Sequence, residues 1–495
     1  MATTKSPSGF KLSIMTLAVM NVTAVVSLRG LASEAVYGLS SAFFYLFAAI
    51  AFLIPTALVA AELAAMFSDK AGGVFRWVGE AFGARWGFLA IWLQWIESTI
   101  WYPTVLTFGA VSLAFIGLDH TADMALASNK TFTLVVVLAI YWAATFIALK
   151  GLNWVGKISK WGGIIGTIIP AGLLILLSVV YLTTGGENHL DLSQSFFPDL
   201  TKLDNIVLAS SIFLFYAGME MMGIHVMEVD NPKRNYPRAI IIGSLITVVI
   251  FVLGTFSIGV IIPVKDINLT QSLLIGFDNY LSYLHLSWAS PIIAVALMFG
   301  VLAGVLTWVA GPSKGIFTVG RAGYLPPIFQ RSNKRGVQRN ILLFQGGLVT
   351  LLSLLFVVMP SVQSFYQILS QLTVLLYLIM YMLMFAAAIT LRYKMRGQER
   401  PFRLGSRGNL VMWILGGIGF LGSLLAFVLS FIPPSQIQTG STEVWFGVLI
   451  SGCVVVVAIP FVIYAMRKPS WKSSDDFAPF ADEIQEEKGV ENGAI

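Results

Sequence analysis

Apolar runs of about 20 residues recur along nearly the whole chain, each long enough to cross roughly 30 Å of hydrocarbon as a helix. They predict spans at 12–31, 41–67, 86–117, 132–149, 161–182 and 205–227 in the first part of the chain. Six more follow at 240–262, 287–309, 341–359, 365–390, 411–432 and 444–466. Between the second and third, 74–83 reads as an amphipathic segment too short to cross, and Pro55 predicts a kink in the second span. The run GPSKGIFTVGRAGYLPP (311–327) reads as an inner loop punctuated by glycine and proline, with a short helix in it. This is the pattern of an all-α polytopic membrane protein with about twelve spans.

Two spans interrupt the apolar pattern. The first contains Asn21, Thr23, Ser27, Arg29 and Gly30, too many polar groups for a helix facing lipid. An arginine at that depth must face protein, water or a ligand, because even low estimates put its cost at roughly 2.5–3.5 kcal/mol. Arg29 can hold a nearby carboxylate such as Glu34 or Glu97, or it can bind a carboxylate of a substrate; both readings stay open. The sixth span runs into FYAGMEMMGIHVMEVDNPKRNYP (215–237) and ends beside Lys233, Arg234 and Arg238. Gly218 and Gly223 weaken a helix there, and hydrocarbon does not tolerate Glu220, His225 or Glu228 unpaired. Such a stretch exposes backbone groups to a solute, so Glu220 is a candidate site residue; its alternative is a buried carboxylate bonded to a neighbouring helix. In the third span Glu97 lies among Trp92, Trp95 and Trp101, as a proton carrier or as the partner of Arg29.

The two interrupted spans lie five helices apart. Inverted five-helix repeats with a broken helix opening each half are one transporter architecture. There, amides freed at a helix N-terminus meet a substrate carboxylate.

Composition excludes a soluble enzyme. Hydrophobic residues make up 57% and charged residues 11% of the 495, against roughly 25% charged in soluble domains. Mean hydropathy is +0.81. The net charge of +6 does not imply nucleic acid, because Lys and Arg are spread over loops. With a cytoplasmic N-terminus only Lys130, Lys202 and Lys265 fall outside, Arg29 lies within the first span, and all other Lys and Arg are inside. That bias predicts an inner-membrane protein with both termini cytoplasmic. The predicted organisation is an N-terminal tail (1–11), one transport domain (12–466) and a polar tail (467–495) that is disordered or only locally ordered. The transport domain divides into halves 12–182 and 205–390 and two further helices in 411–466.

Cys453, the sole cysteine, sits in an apolar run, so neither a disulfide framework nor a thiolate metal site is expected. The N-terminus MATTKSPSGFKLS leads into the first span without a small-residue cleavage pattern, so that helix reads as retained. His120, His189, His225 and His285 are scattered, and no dinucleotide fingerprint, phosphate loop, zinc motif or nucleophile elbow stands in a fitting context. No metal, cofactor or nucleic-acid partner is expected. A membrane-embedded enzyme lacks its constellation, and a channel would show a repeated polar pore ring.

The motifs IPTALVAAELAA (54–65), GGVFRWVGEAFGARWGF (72–88) and YAGMEMMGIHVMEVDNPKRNYP (216–237) stand out together, with IPVKDIN (262–268), VAGPSKG (309–315) and LTVLLYLIMY (372–381). On these the chain resembles the amino acid–polyamine–organocation (APC) superfamily and, within it, the bacterial glutamate:γ-aminobutyrate antiporters. The resemblance implies the LeuT-like fold: five-plus-five inverted repeats, broken first and sixth helices, two further helices, and exchange by alternating access. By position, Gly218 and Glu220 match the family's broken sixth helix, and Tyr377 and Tyr381 match tyrosines lining the path in the tenth. Arg29 falls where the acid-resistance antiporter carries a tyrosine, with Ser27 and Gly30 flanking the break; Thr23 and Tyr216 complete the implied substrate set. The chain departs from that member at Gly304 and Glu97, where it has a glutamate and an uncharged amide, and its tail is acidic and histidine-free. The implied function is exchange of glutamate or a related acidic amino acid for γ-aminobutyrate or a related amino acid. The competing reading is a permease of the same fold for neutral or aromatic amino acids, proton-coupled through Glu97.

Overall fold

The structure is a computed structural model that describes residues 11–191, 195–198, 212–268, 270–358, 362–405, 408–432, 442–472, 477 and 480. The start of the expected sixth span (205–211), the acidic residues Asp199 and Asp204, nearly all of the N-terminal tail and most of the C-terminal tail lie outside them. Eight of the described helices are long and apolar enough to cross a membrane. The other four expected spans are the broken first and sixth, the 31-residue third (Ala84–Ala114) and the ninth (Arg339–Val358).

Both predicted interruptions are present. The first span is helical over Ile14–Val25, unwinds at Val26 and resumes at Gly30–Ala35. The sixth is helical over 212–215, turns through 216–220 and continues as a tight 3-10 segment, Met221–Glu228. Gly218 has φ +114°, a conformation a side chain rarely adopts, which fixes the turn at that residue. Leu12 and Val229 pair as a two-residue parallel bridge, so the entry to the first span and the exit of the sixth lie together. The face on which Leu12 lies is called the inner face below.

Prolines bend two spans in the same way. A five-residue π-turn, Ala49–Leu53, precedes Pro55 in the second span, and another, Ile164–Ile168, precedes Pro170 in the fifth. Proline donates no N–H to the carbonyl four residues back, and a wider turn absorbs the defect. Each freed carbonyl meets a glycine of another helix. A Cβ on Gly422 would lie 2.6 Å from the Ala51 oxygen, and one on Gly300 would lie 2.3 Å from that of Gly166. Only a bare Cα fits there, and it brings a weak C–H donor to the orphaned oxygen.

Two expectations need correction. The fifth span begins at Leu152 rather than 161, so Lys157 and Lys160 belong to its inner extension. The eighth helix continues through Ser290–Arg321 and absorbs most of the run expected to be a loop. Pro312 lies within this helix, and the residue after it is tied both ways: Ser313 Oγ donates to the Val309 carbonyl while Gln338 Nε2 donates to Ser313 Oγ at 2.8 Å. Part of the tail also docks. Phe480 is buried against Phe75 and Gly79, and Phe477 stacks over the Arg76 guanidinium at 4.1 Å. The short helix beneath them, Val74–Phe82, does not cross, as expected, and is buried nearly throughout, its Arg76 paired with Glu80 at 3.1 Å.

Candidate substrate site

The two breaks touch. A Cβ on Gly30 would collide with the Phe215 ring at 2.8 Å, so this glycine lets the sixth helix approach the first. Trp308 of the eighth helix spans both breaks: its ring lies 2.9 Å from where a Cβ of Gly218 would be, and its Nε1 donates to the Ala24 carbonyl at 2.8 Å. That bond satisfies one of the carbonyls that unwinding leaves without a helical partner.

Glu220 is completely buried and richly bonded. Oε1 accepts from Gln94 Nε2 at 2.7 Å and from the Tyr377 hydroxyl at 2.5 Å; Oε2 accepts from the Tyr381 hydroxyl at 2.5 Å. The Tyr381 oxygen in turn accepts the Gly218 N–H at 2.6 Å. A chain of bonds thus ties the turn of the sixth helix to the third and tenth helices. Charge-assisted bonds of this kind are about twice as strong as neutral ones, so Glu220 is held in place rather than presented to solvent.

Beside the breaks lie two cavities that share Ala24, Ser27 and Trp101. One is lined by Arg29, Glu97, Phe215, Trp308 and Tyr377. The other is largely apolar, with Thr23, Thr167, Phe108, Val301 and Gly304 around it. Arg29 and Glu97 are 5% and 2% exposed, yet they face a common space. Glu97 forms no ion pair, and its Oε1 has no hydrogen-bond partner, among the described residues. The Arg29–Glu97 pair, one of the readings the sequence leaves open, is therefore not made.

The structure brings Thr23, Ser27, Arg29, Glu97, Tyr377 and Gly304 to these cavities. It sets Glu220, Gly218, Gly30, Tyr381 and Tyr216 outside both linings. Tyr216 packs between Tyr45 and Phe251, its hydroxyl without a hydrogen-bond partner among the described residues. Gln94 and Trp308 were not anticipated. Gln94 carried a signal, a polar residue one turn before Glu97 in an apolar span; Trp308 carried none that marks it off from other membrane tryptophans.

A family model described as amino acid permease matches residues 12–459. The chain belongs to that family. This permease is 38% identical over 451 residues to an uncharacterized transporter of Legionella pneumophila, covering 91% of this chain and 96% of that one. It is 32% identical over 463 residues to a glutamate/gamma-aminobutyrate antiporter of Lactococcus lactis, covering 92% and 91%. The solved structure of MhsT in complex with L-phenylalanine superposes with a TM-score of 0.65, at 17% identity, over 86% of the permease and all of that chain. The structural likeness bears out the LeuT-like fold, and the family match with the antiporter relatives bears out the resemblance to the APC superfamily. The permease is a multi-pass membrane protein whose relatives are transporters rather than enzymes.

Proposed function

We propose that this permease is an amino-acid antiporter of the bacterial inner membrane, working by alternating access with both termini cytoplasmic. It takes glutamate or a related acidic amino acid against γ-aminobutyrate or a related amino acid. The observation that carries the reading is a guanidinium-bearing and a carboxyl-bearing side chain, Arg29 and Glu97, lining one cavity. A zwitterion needs a cation for its carboxylate and an anion for its amine, and burial strengthens both attractions. Amides at the two breaks add donors for the carboxylate. Tyr377 lines this cavity and also donates to Glu220. A ligand that displaces Tyr377 loosens the fastening of the sixth helix, which gives substrate binding a route to the conformational change. The name of the Lactococcus relatives supports this substrate pair, and the Lys and Arg bias of the loops supports the orientation.

The apolar second cavity favours a different reading, a permease of neutral or aromatic amino acids. Counterflow in proteoliposomes decides between them. Vesicles are preloaded with glutamate, γ-aminobutyrate, single neutral amino acids or buffer, and uptake of labelled partners is followed. The proposal expects uptake only against an internal amino acid, fastest for the acidic and γ-amino pair. Equal uptake into empty vesicles contradicts exchange, and preference for a neutral pair moves the assignment to the second reading.

A further inference from the structure

A third cavity lies away from the breaks, on the inner face, where the tenth helix runs into the eleventh. Its lining holds Arg392, Arg396, Arg400 and Arg403 together with Gln398 and Asn409. Counting its open mouth, it encloses about 760 Å³ of empty space, against about 400 and 390 Å³ for the cavities at the breaks. Four arginines lining one hollow repel one another unless anions offset them.

The protein supplies one such anion. Glu62, fully buried, accepts from Arg392 Nη2 at 2.5 Å, from Arg400 Nη1 at 3.2 Å and from the Leu404 N–H at 2.7 Å. Its charge is thereby committed to two arginines. Arg396 and Arg403 have no ion pair among the described residues, and the nearby Glu399 pairs with Lys233 instead. Arg392, which lines this hollow, is 3% exposed, and its buried Nε has no hydrogen-bond partner among the described residues. The eleventh helix, Leu410–Leu429, begins at the rim, and no side chain caps its first amides. Unsatisfied helical N–H groups and their dipole favour an anion at that end.

The surroundings identify the source. Leu410, Trp413 and Ile414, on the first turns of the eleventh helix, are 70%, 51% and 49% exposed on a helix that spans the membrane, so this flank faces lipid. Trp413 Nε1 donates to the Tyr393 hydroxyl at 2.7 Å. Paired Trp and Tyr of this kind mark the headgroup level of a bilayer. The basic hollow therefore opens beside acyl chains at the depth where phosphates lie.

We infer that this hollow binds a phosphate-bearing anion, supplied by the headgroup of an anionic phospholipid whose chains lie along the eleventh helix. Basic pockets between membrane helices recognise anionic headgroups by the same chemistry, and Arg forks suit phosphate oxygens.

The test titrates the purified full-length protein in detergent with short-chain phosphatidylglycerol, short-chain phosphatidylcholine and inorganic phosphate, following tryptophan fluorescence. The variant is Arg396→Gln with Arg403→Gln, which leaves the Glu62 cluster untouched. Saturable binding of phosphatidylglycerol, weakened about tenfold or more in the double variant and by added salt, is expected. Matching affinity for phosphatidylcholine, or an unchanged affinity in the variant, would overturn the site. Equal affinity for inorganic phosphate, with the same dependence on arginine, would overturn the lipid assignment and give the hollow to a soluble anion. A Trp413→Phe protein monitored by native mass spectrometry of retained lipid covers the case where fluorescence does not respond, with retention of phosphatidylglycerol over phosphatidylcholine expected and no preference contradicting it.

Discussion

At the break of the sixth helix, Glu220 holds three side-chain donors and the turn itself is bonded to Tyr381. At the break of the first helix, Arg29 and Glu97 face a cavity, and a carboxylate oxygen lacks any hydrogen bond among the described residues. Both breaks carry ionisable groups in a membrane, where such groups are costly, and they offset that cost in opposite ways. Glu220 is satisfied within the protein, whereas Glu97 Oε1 has no hydrogen-bond partner among the described residues and, in our proposal, meets substrate. Being charged and intramembrane therefore does not distinguish a fastening from a binding group; the completeness of its hydrogen bonds does.

Glu220→Ala removes the fastening and is expected to have the largest effect. It leaves Tyr377, Tyr381 and Gln94 with unpaired donors, each costing about 1–3 kcal/mol, so thermal unfolding in detergent should fall sharply and exchange should be lost for every substrate. Were stability unchanged while one substrate alone lost transport, Glu220 would belong to the binding side of the comparison. Arg29→Ala comes next. Uptake of acidic amino acids should drop about tenfold or more, the loss of one charge-assisted contact. Equal uptake of acidic substrates would remove Arg29 from the site.

A smaller effect is expected for Gly304→Ala. The new methyl meets only the Thr23 carbonyl, at 3.2 Å, and narrows the apolar cavity. Competition assays should show a few-fold loss for larger side chains and none for the smallest, since a methyl group in a pocket discriminates modestly. The smallest effect belongs to Tyr216→Phe. Its hydroxyl has no hydrogen-bond partner among the described residues, and Tyr216 lies outside the linings of both cavities at the breaks, so stability should change by less than about 0.5 kcal/mol with exchange intact. A large loss of exchange would return Tyr216 to the substrate path.

Much of this was legible before any coordinates. Polar residues and glycines in apolar runs mark both breaks, because unwound backbone in a membrane needs permissive residues and attracts polar partners. Glu97 and Arg29 stood out for the same reason. Helix ends were harder to read. The eighth helix passes straight through Pro312, and Gln338, just before the ninth helix, bonds Ser313 beside it; local punctuation cannot report a contact from 25 residues away. The role of Glu220 was likewise ambiguous because its partners lie 126 to 161 residues distant. Phe477 and Phe480 were hidden in a polar tail, although they are its only aromatic residues beyond Trp471.

The central claim is that substrate occupies the space at the first-helix break. Ser27 lines both cavities there, and Cys453 is the only cysteine to remove. The direct measurement is the rate of thiol labelling of Ser27→Cys in a Cys453→Ser background that still exchanges amino acids. Slower labelling in the presence of transported amino acids, with no change from untransported ones, is the predicted result. Labelling that proceeds at the same rate with every transported amino acid would contradict the account.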